Sequence, residues 1–195
     1  MYIMGWSYTH VVLFGPTQQQ AAVALSNRQA AISPTVNGFT LVADKEFESH
    51  DERRIAAFGA DLSKRLCCPV MIVSEFDDDV LQYHLIESGE LVDEYNSAPD
   101  YFDFAAKHIP PRGPQGGDSN RLCAALKRSD AGEQVASILH KQDPGLSAPE
   151  RHQQLAAALG MPAFAIGFDY EALQNGELPE QLDEFDVLFT KMESD

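Results

Sequence analysis

Residues 69–96 constrain the fold most strongly, because two short turn signals divide them into three strand-like runs. Residues 70–73 are apolar on both sides, which is typical of a central strand. After a run of three aspartates, residues 80–86 alternate between apolar and polar side chains, and residues 91–95 return after a Ser-Gly pair. Alternation with such turn residues predicts three consecutive antiparallel strands.

The segment before these strands has the pattern strand, helix, strand, helix. A β-rich run at residues 8–14 ends at a Gly-Pro pair, and a Thr-Gln-Gln-Gln capping box then begins a helix. Residues 39–43 indicate a second strand. Residues 51–66 place apolar side chains at helical spacing, after a capping box formed by Ser49 and Glu52. This order favours a right-handed β-α-β crossover at the start of the chain.

Helix signals dominate the C-terminal half. Asp118 or Ser119 caps one helix and Ser129 caps another, while Ser147 and Glu150 form a third capping box. The segment before these helices is the longest break in the chain and is rich in proline and glycine, which is typical of a loop or linker.

Together these patterns predict an α/β or α+β fold with three regions. A mixed sheet of about five strands, in the order β-α-β-α-β-β-β, would occupy residues 1–105. A loop or linker would occupy residues 106–118. A mainly helical region, packed on the sheet or extending it, would occupy residues 119–195.

Charge is the strongest compositional signal. Thirty Asp and Glu residues against fourteen Lys and Arg residues give a net charge of −16. Such a field repels nucleic acid and anionic membranes and favours a basic protein as partner. We therefore expect no nucleic-acid or membrane partner. The N-terminus also lacks the basic start and apolar run of a secretion signal, which predicts a cytoplasmic location.

The sequence contains no familiar catalytic, metal or nucleotide motif. Its glycine-rich loop lacks the lysine of a P-loop, and its three consecutive aspartates lack the alternating ligands of an EF-hand. The six histidines show no zinc-protease spacing, and the three cysteines show no disulfide or zinc pattern. We therefore expect the protein to use no cofactor and no metal. We also expect a binding protein rather than an enzyme.

The best candidate for a site is the segment at residues 89–102, where carboxylates lie between aromatic residues. Rings supply contact area and carboxylates pair with Arg or Lys, so this composition suits a basic partner. The alternative is a strand end whose rings close the core. The candidate partner-binding residues are Asp93, Glu94, Tyr95, Asp100 and Tyr101.

Four stretches of the sequence carry a resemblance to known proteins: residues 6–15, 33–40, 91–102 and 151–162. They are similar to stretches of an uncharacterised family of bacterial cytosolic proteins of about this length. No activity is established for that family. The resemblance therefore implies a bacterial, cytosolic protein and transfers no catalytic residue.

Charge and the missing motifs favour a non-enzymatic protein that binds another protein through an acidic surface. Immunity proteins, secretion chaperones and inhibitors fit this description. The alternative is an enzyme or small-ligand binder whose residues converge from distant segments, such as His10, Asp93 and Arg121. A deep pocket with perturbed carboxylates or histidines would favour that alternative, and a flat acidic face would favour a protein binder.

Overall fold

One antiparallel sheet of eight strands forms the centre of the computed structural model, which describes residues 6–103, 112–143 and 145–191. The strands are β1 (Tyr8–Phe14), β2 (Ala30–Ile32), β3 (Phe39–Asp44), β4 (Val70–Phe76), β5 (Val80–Glu87), β6 (Glu90–Asn96), β7 (Gln115–Gly116) and β8 (Leu188–Phe189). Their order across the sheet is β7-β6-β5-β4-β1-β3-β2-β8, so β1 and β4 are central.

Six α-helices are described, and they cover both faces of the sheet. They are α1 (Gln18–Ala24), α2 (Glu52–Leu66), α3 (Ser119–Ala125), α4 (Gly132–His140), α5 (Ala148–Leu159) and α6 (Tyr170–Gln174). Val11 and Leu13 of β1 pack in the core formed with α1 and α2, whereas Val12 packs in the core formed with the C-terminal helices. No described helix is long and apolar enough to cross a membrane.

The three predicted antiparallel strands at residues 69–96 are confirmed. They are β4, β5 and β6, and each pairs antiparallel with the next. Asp77 and Asp78 adopt positive φ in the first turn, as Ser88 and Gly89 do in the second. Ile72 is 1% exposed, as expected for a strand with a neighbour on each side.

An α/β fold is confirmed, but the predicted mixed sheet of five strands is wrong in its strand count and order. The three-residue strand β2 had no signal, and a hairpin with positive φ at Asn37 and Gly38 returns the chain as β3. β3 lies between β1 and β2 and is antiparallel to both. The predicted crossover to residues 39–43 is therefore wrong, because the helix after β1 leads to β2.

The helix starts follow the capping signals with two exceptions. Thr17 and Ser147 form the predicted capping boxes, and Asp118 caps α3. The capping box predicted at Ser49 is wrong, because Ser49 ends a 3-10 turn, Lys45–Ser49, and Asp51 caps α2 instead. At residue 129 the chain forms a 3-10 turn, Ser129–Ala131, before α4, and no side chain caps it.

The three predicted regions contribute to the same sheet and core. Residues 106–111 of the predicted linker lie outside the described residues, and Gln115–Gly116 pairs with β6 as β7. β8, near the C-terminal end of the described chain, pairs with β2. Leu85 of the sheet and Leu139 of α4 belong to one core cluster.

Candidate functional site

The five residues predicted from the sequence do not form one surface. The carboxylate of Asp93 accepts hydrogen bonds from the Tyr83 hydroxyl, at 2.7 Å, and from the Asp118 backbone N–H, at 3.0 Å. Tyr95 is 2% exposed, and its hydroxyl donates to the backbone oxygen of Leu139 at 2.9 Å. Asp93 and Tyr95 therefore hold β6 against the C-terminal helices.

The other three predicted residues lie at the surface or close to it. Glu94 is exposed on the edge of β6. Asp100 is half-buried and pairs with Arg112, which holds the pKa of the Asp100 carboxyl below its ordinary value. Tyr101 is exposed, and its hydroxyl donates to the Asp77 carboxylate at 3.0 Å. Of the predicted set, Tyr101 thus lies beside the Asp77 turn.

A cleft of about 330 Å³ opens where β1 begins. β1 pairs with β4 from Tyr8 onward but with β3 only from Val11 onward, so its first residues are open on one side. The 3-10 turn after β3 and the start of α6 close that side. We call it the acidic cleft, because four carboxylates and no lysine or arginine are among its described lining residues: Glu48, Asp169, Glu171 and Glu177.

The carboxylates of the acidic cleft repel one another. Burial raises the pKa of Glu48, and the charges of Glu171 and Asp169 raise it further, while Lys45 acts weakly in the opposite direction. Among the salt bridges of the described residues, none involves the four carboxylates of the cleft. A cation in the cleft would relieve this repulsion.

Aromatic side chains continue from the acidic cleft across the surface. His50 of the cleft lies 5.8 Å from the ring of Phe76, which lies 5.4 Å from Phe102. Phe102 in turn meets Tyr101 edge-on at 5.0 Å. Phe102 is 52% exposed, so part of its apolar ring is open to solvent. We call these four residues the aromatic row.

Trp6 and the Asp77 turn complete this end of the molecule. Trp6 lines the acidic cleft and is 50% exposed. Its backbone oxygen accepts a hydrogen bond from Asp78, and Ser7 Oγ accepts one from the backbone N–H of Asp77. The acidic cleft, the aromatic row and the turn at residues 77–79 therefore form one continuous surface, which we call the acidic–aromatic face.

A cluster of polar side chains is buried behind this face. Tyr8 lies opposite Glu75 in the pairing of β1 with β4, and its hydroxyl donates to the Glu75 carboxylate. α5 brings His152 Nδ1 to 2.7 Å from the same carboxylate oxygen and 3.0 Å from the Tyr8 hydroxyl. His10 stacks beside them. These four residues are the buried network, and none is more than 3% exposed.

The buried network is only partly satisfied by hydrogen bonds. Both ring nitrogens of His10, Nε2 of His152 and Oε2 of Glu75 have no partner. Burial lowers the pKa of His10 well below its ordinary value, and His152 lowers it further. Burial and Glu75 together raise the pKa of the Tyr8 hydroxyl well above its ordinary value. His10 is therefore neutral in the folded protein near neutral pH.

Neither a metal centre nor a known relative identifies this site. Within the described part of the chain, no three His, Cys, Asp or Glu side chains are arranged to hold a metal ion. No family model, curated protein or solved structure matches the chain. The chemistry of the acidic–aromatic face and of the buried network is therefore what indicates a function.

The sequence predicted only some residues of the acidic–aromatic face and did not predict the buried network as a group. Of the members of the acidic–aromatic face, Tyr101 and Phe102 belong to the predicted segment, but the acidic cleft draws on distant segments. The buried network did have a local signal. Tyr8 and His10 lie on the same face of β1 as the buried Val12, so polar side chains at these positions must enter the core.

Proposed function

We propose that the protein binds a basic segment of another protein at the acidic–aromatic face, as a non-enzymatic partner. The observation that carries this proposal is the acidic cleft, where four carboxylates without a salt bridge surround about 330 Å³ beside the exposed Trp6. A protein with a net charge of −16 also attracts a basic partner at long range.

The acidic cleft suits the side chain of an arginine or a lysine. A guanidinium or ammonium group placed there would neutralise carboxylates that now repel one another. Trp6 lines the same cleft, and an indole face attracts a cation that lies within about 6 Å of the ring. The acidic cleft therefore offers a cation both negative carboxylates and the indole ring of Trp6.

The aromatic row would supply the apolar part of the contact. Phe102 and Tyr101 are exposed and rest against each other, so both rings are held in place before a partner arrives. Rigid aromatic side chains contribute strongly to protein interfaces. Carboxylates at the edge of an interface mainly increase the rate of association. The exposed residues Asp77 and Asp79 would lie at the edge of this interface.

Among protein classes, this chemistry suits an immunity protein, a secretion chaperone or an inhibitor that binds a basic target. The bacterial, cytoplasmic origin implied by the sequence resemblance is part of the same proposal. An oxidising compartment is not needed, since the described cysteines are free.

Binding of a fluorescein-labelled hexa-arginine peptide, measured by anisotropy, tests the proposal. The unaltered protein is expected to saturate, with a Kd that rises with added salt. Trp6→Ala is expected to raise the Kd about tenfold or more, because truncating an aromatic anchor costs about 2 kcal/mol. An unchanged Kd would show that the cleft does not receive the peptide.

A pair of charge-matched variants separates the cleft from the overall charge. The double variant Glu171→Gln/Glu177→Gln removes two charges from the cleft. Glu133→Gln/Glu90→Gln removes two exposed charges from other elements, so the net charge is the same. The cleft variant is expected to bind several-fold more weakly than this control. Equal losses in both variants would assign binding to the general field of the protein.

A small-ligand binder is the second candidate, and one observation favours it. Tyr8 lines the acidic cleft and also belongs to the buried network, so the cleft lies directly over perturbed titratable groups. The same anisotropy experiment distinguishes the two functions. If free spermidine or arginine displaces the peptide at micromolar concentration, a small cation is the better ligand. Displacement only at millimolar concentration would favour the protein partner.

A further inference from the structure

His10 is a fully buried imidazole without a hydrogen bond. It is 0% exposed, and neither ring nitrogen has a partner. Its ring stacks against both Tyr8, at 5.7 Å, and His152, at 5.6 Å, while Phe168 covers it edge-on at 6.4 Å. The apolar and aromatic surroundings disfavour a charged imidazole, because protonation adds an N–H group and no hydrogen-bond acceptor lies within reach of it.

No titratable group around His10 accepts a hydrogen bond from it. Tyr8 lies on the same strand, Glu75 on β4 and His152 on α5. The Glu75 carboxylate is already shared by the Tyr8 hydroxyl and His152 Nδ1, and no hydrogen bond joins it to His10. A proton on His10 would therefore place a positive charge beside His152 in the core.

The buried network is connected to the acidic–aromatic face along two strands. Trp6 lies two residues before Tyr8, the first residue of β1, and contacts it edge-on at 6.3 Å. On β4, Glu75 directly precedes Phe76 of the aromatic row. Movement of the network would therefore displace Trp6 and the start of the aromatic row.

We propose that the buried network is an acid-sensitive switch. When His10 takes a proton from solvent, α5 separates from the N-terminal end of β1, and the acidic–aromatic face changes shape. One proton is added to a ring nitrogen, and no covalent bond other than N–H forms. This switch goes beyond the binding function and needs no ligand, so a failure of peptide binding would leave it intact.

Acid is expected to destabilise the folded protein, because burial lowers the pKa of His10 in the folded state. The unfolded chain takes up this proton near pH 6.5, whereas the folded protein resists it. Stability is therefore lost as the pH falls from 6.5 toward the lowered pKa, and no further change comes from this group above pH 6.5.

Thermal unfolding of the wild type and of His10→Phe, at pH 7.5 and pH 5.0, tests the switch. Phenylalanine keeps the stacked ring and cannot take a proton. Between these two pH values, the Tm of the wild type is expected to fall about 5 °C more than that of His10→Phe. The control is His84→Gln, which removes a half-buried histidine on β5. Its Tm should fall by as much as that of the wild type. Equal falls in the wild type and His10→Phe would overturn the proposal.

A titration of the wild type alone provides a measurement that does not depend on any variant folding. The chain has one tryptophan, Trp6, so its emission reports on the acidic–aromatic face. The NMR signal of His10 Cε1–H should keep its neutral position until the Trp6 emission changes, and the two should then change together. A His10 signal that titrates near pH 6.5 with constant Trp6 emission would overturn the switch.

Discussion

Glu75→Ala is expected to lower the free energy of unfolding by about 2–5 kcal/mol, because it leaves a cavity in the core and removes the acceptor of buried polar groups. Glu75 is 0% exposed and accepts hydrogen bonds from the Tyr8 hydroxyl and His152 Nδ1. Alanine removes this shared acceptor, and the Tyr8 hydroxyl and His152 Nδ1 can then bond only to each other, at 3.0 Å. Urea unfolding at pH 7.5, followed by the emission of Trp6, measures the loss.

A matched variant and a double-mutant cycle separate this cause from a simple loss of packing. Glu75→Gln keeps the shape and one acceptor oxygen, so its loss should be clearly smaller. In Glu75→Ala/His152→Ala, the two losses should fall short of additivity by about 0.5–3 kcal/mol, as expected for residues in one hydrogen-bond network. A loss below about 1 kcal/mol for Glu75→Ala would show that the network contributes little to stability.

Local patterns were sufficient to predict the parts of the fold that depend on neighbouring residues. The strands β4, β5 and β6 follow one another through tight turns, so alternation and turn residues specify their pairing. The capping boxes at Thr17 and Ser147 depend on residues three positions apart. In both cases the deciding hydrogen bonds form within a short stretch of chain.

Strand pairs that join distant parts of the chain could not be predicted from local patterns. β2 has three residues and β7 and β8 have two each, too few to show a period. Their existence depends on partners far away in sequence, such as Ala31 opposite Phe189. The hairpin at Asn37 and Gly38 sets β3 beside β2, but the pairing of β3 with β1 joins residues about 25 to 31 positions apart, such as Val11 and Val42.

The candidate site shows the same division. Composition identified a segment rich in carboxylates and rings, but strand alternation directs Tyr95 into the core, where its hydroxyl reaches Leu139. The buried network joins Tyr8 to Glu75 and His152, which are 67 and 144 residues away along the chain. A single sequence carries no record of such contacts, although a polar residue on the core face of a strand marks where to look.

Ile72→Ala is expected to lower the free energy of unfolding by about 2–4 kcal/mol, the range for truncating a large aliphatic side chain in a core. Ile72 is 1% exposed on β4, with β1 and β5 on either side. Gly59 of α2 lies directly over it: a Cβ added at Gly59 would be 2.8 Å from Ile72 Cδ1. The helix is already this close to the sheet, so it has little freedom to collapse into the cavity.

The close approach at Gly59 allows a cycle that tests this packing directly. Gly59→Ala alone should crowd the ends of two side chains, because the new methyl would also lie 2.9 Å from Ile86 Cδ1, and this crowding should offset part of the roughly 1 kcal/mol that alanine gains over glycine in a helix interior. In the Ile72→Ala background the same methyl should cost less, because the truncated side chain leaves room for it. Val23→Ala, at a position that is 77% exposed, serves as the control and should change stability by less than about 0.5 kcal/mol. If Ile72→Ala is as mild as this control, or if the two substitutions on α2 and β4 are strictly additive, then α2 does not pack on the centre of the sheet through Gly59.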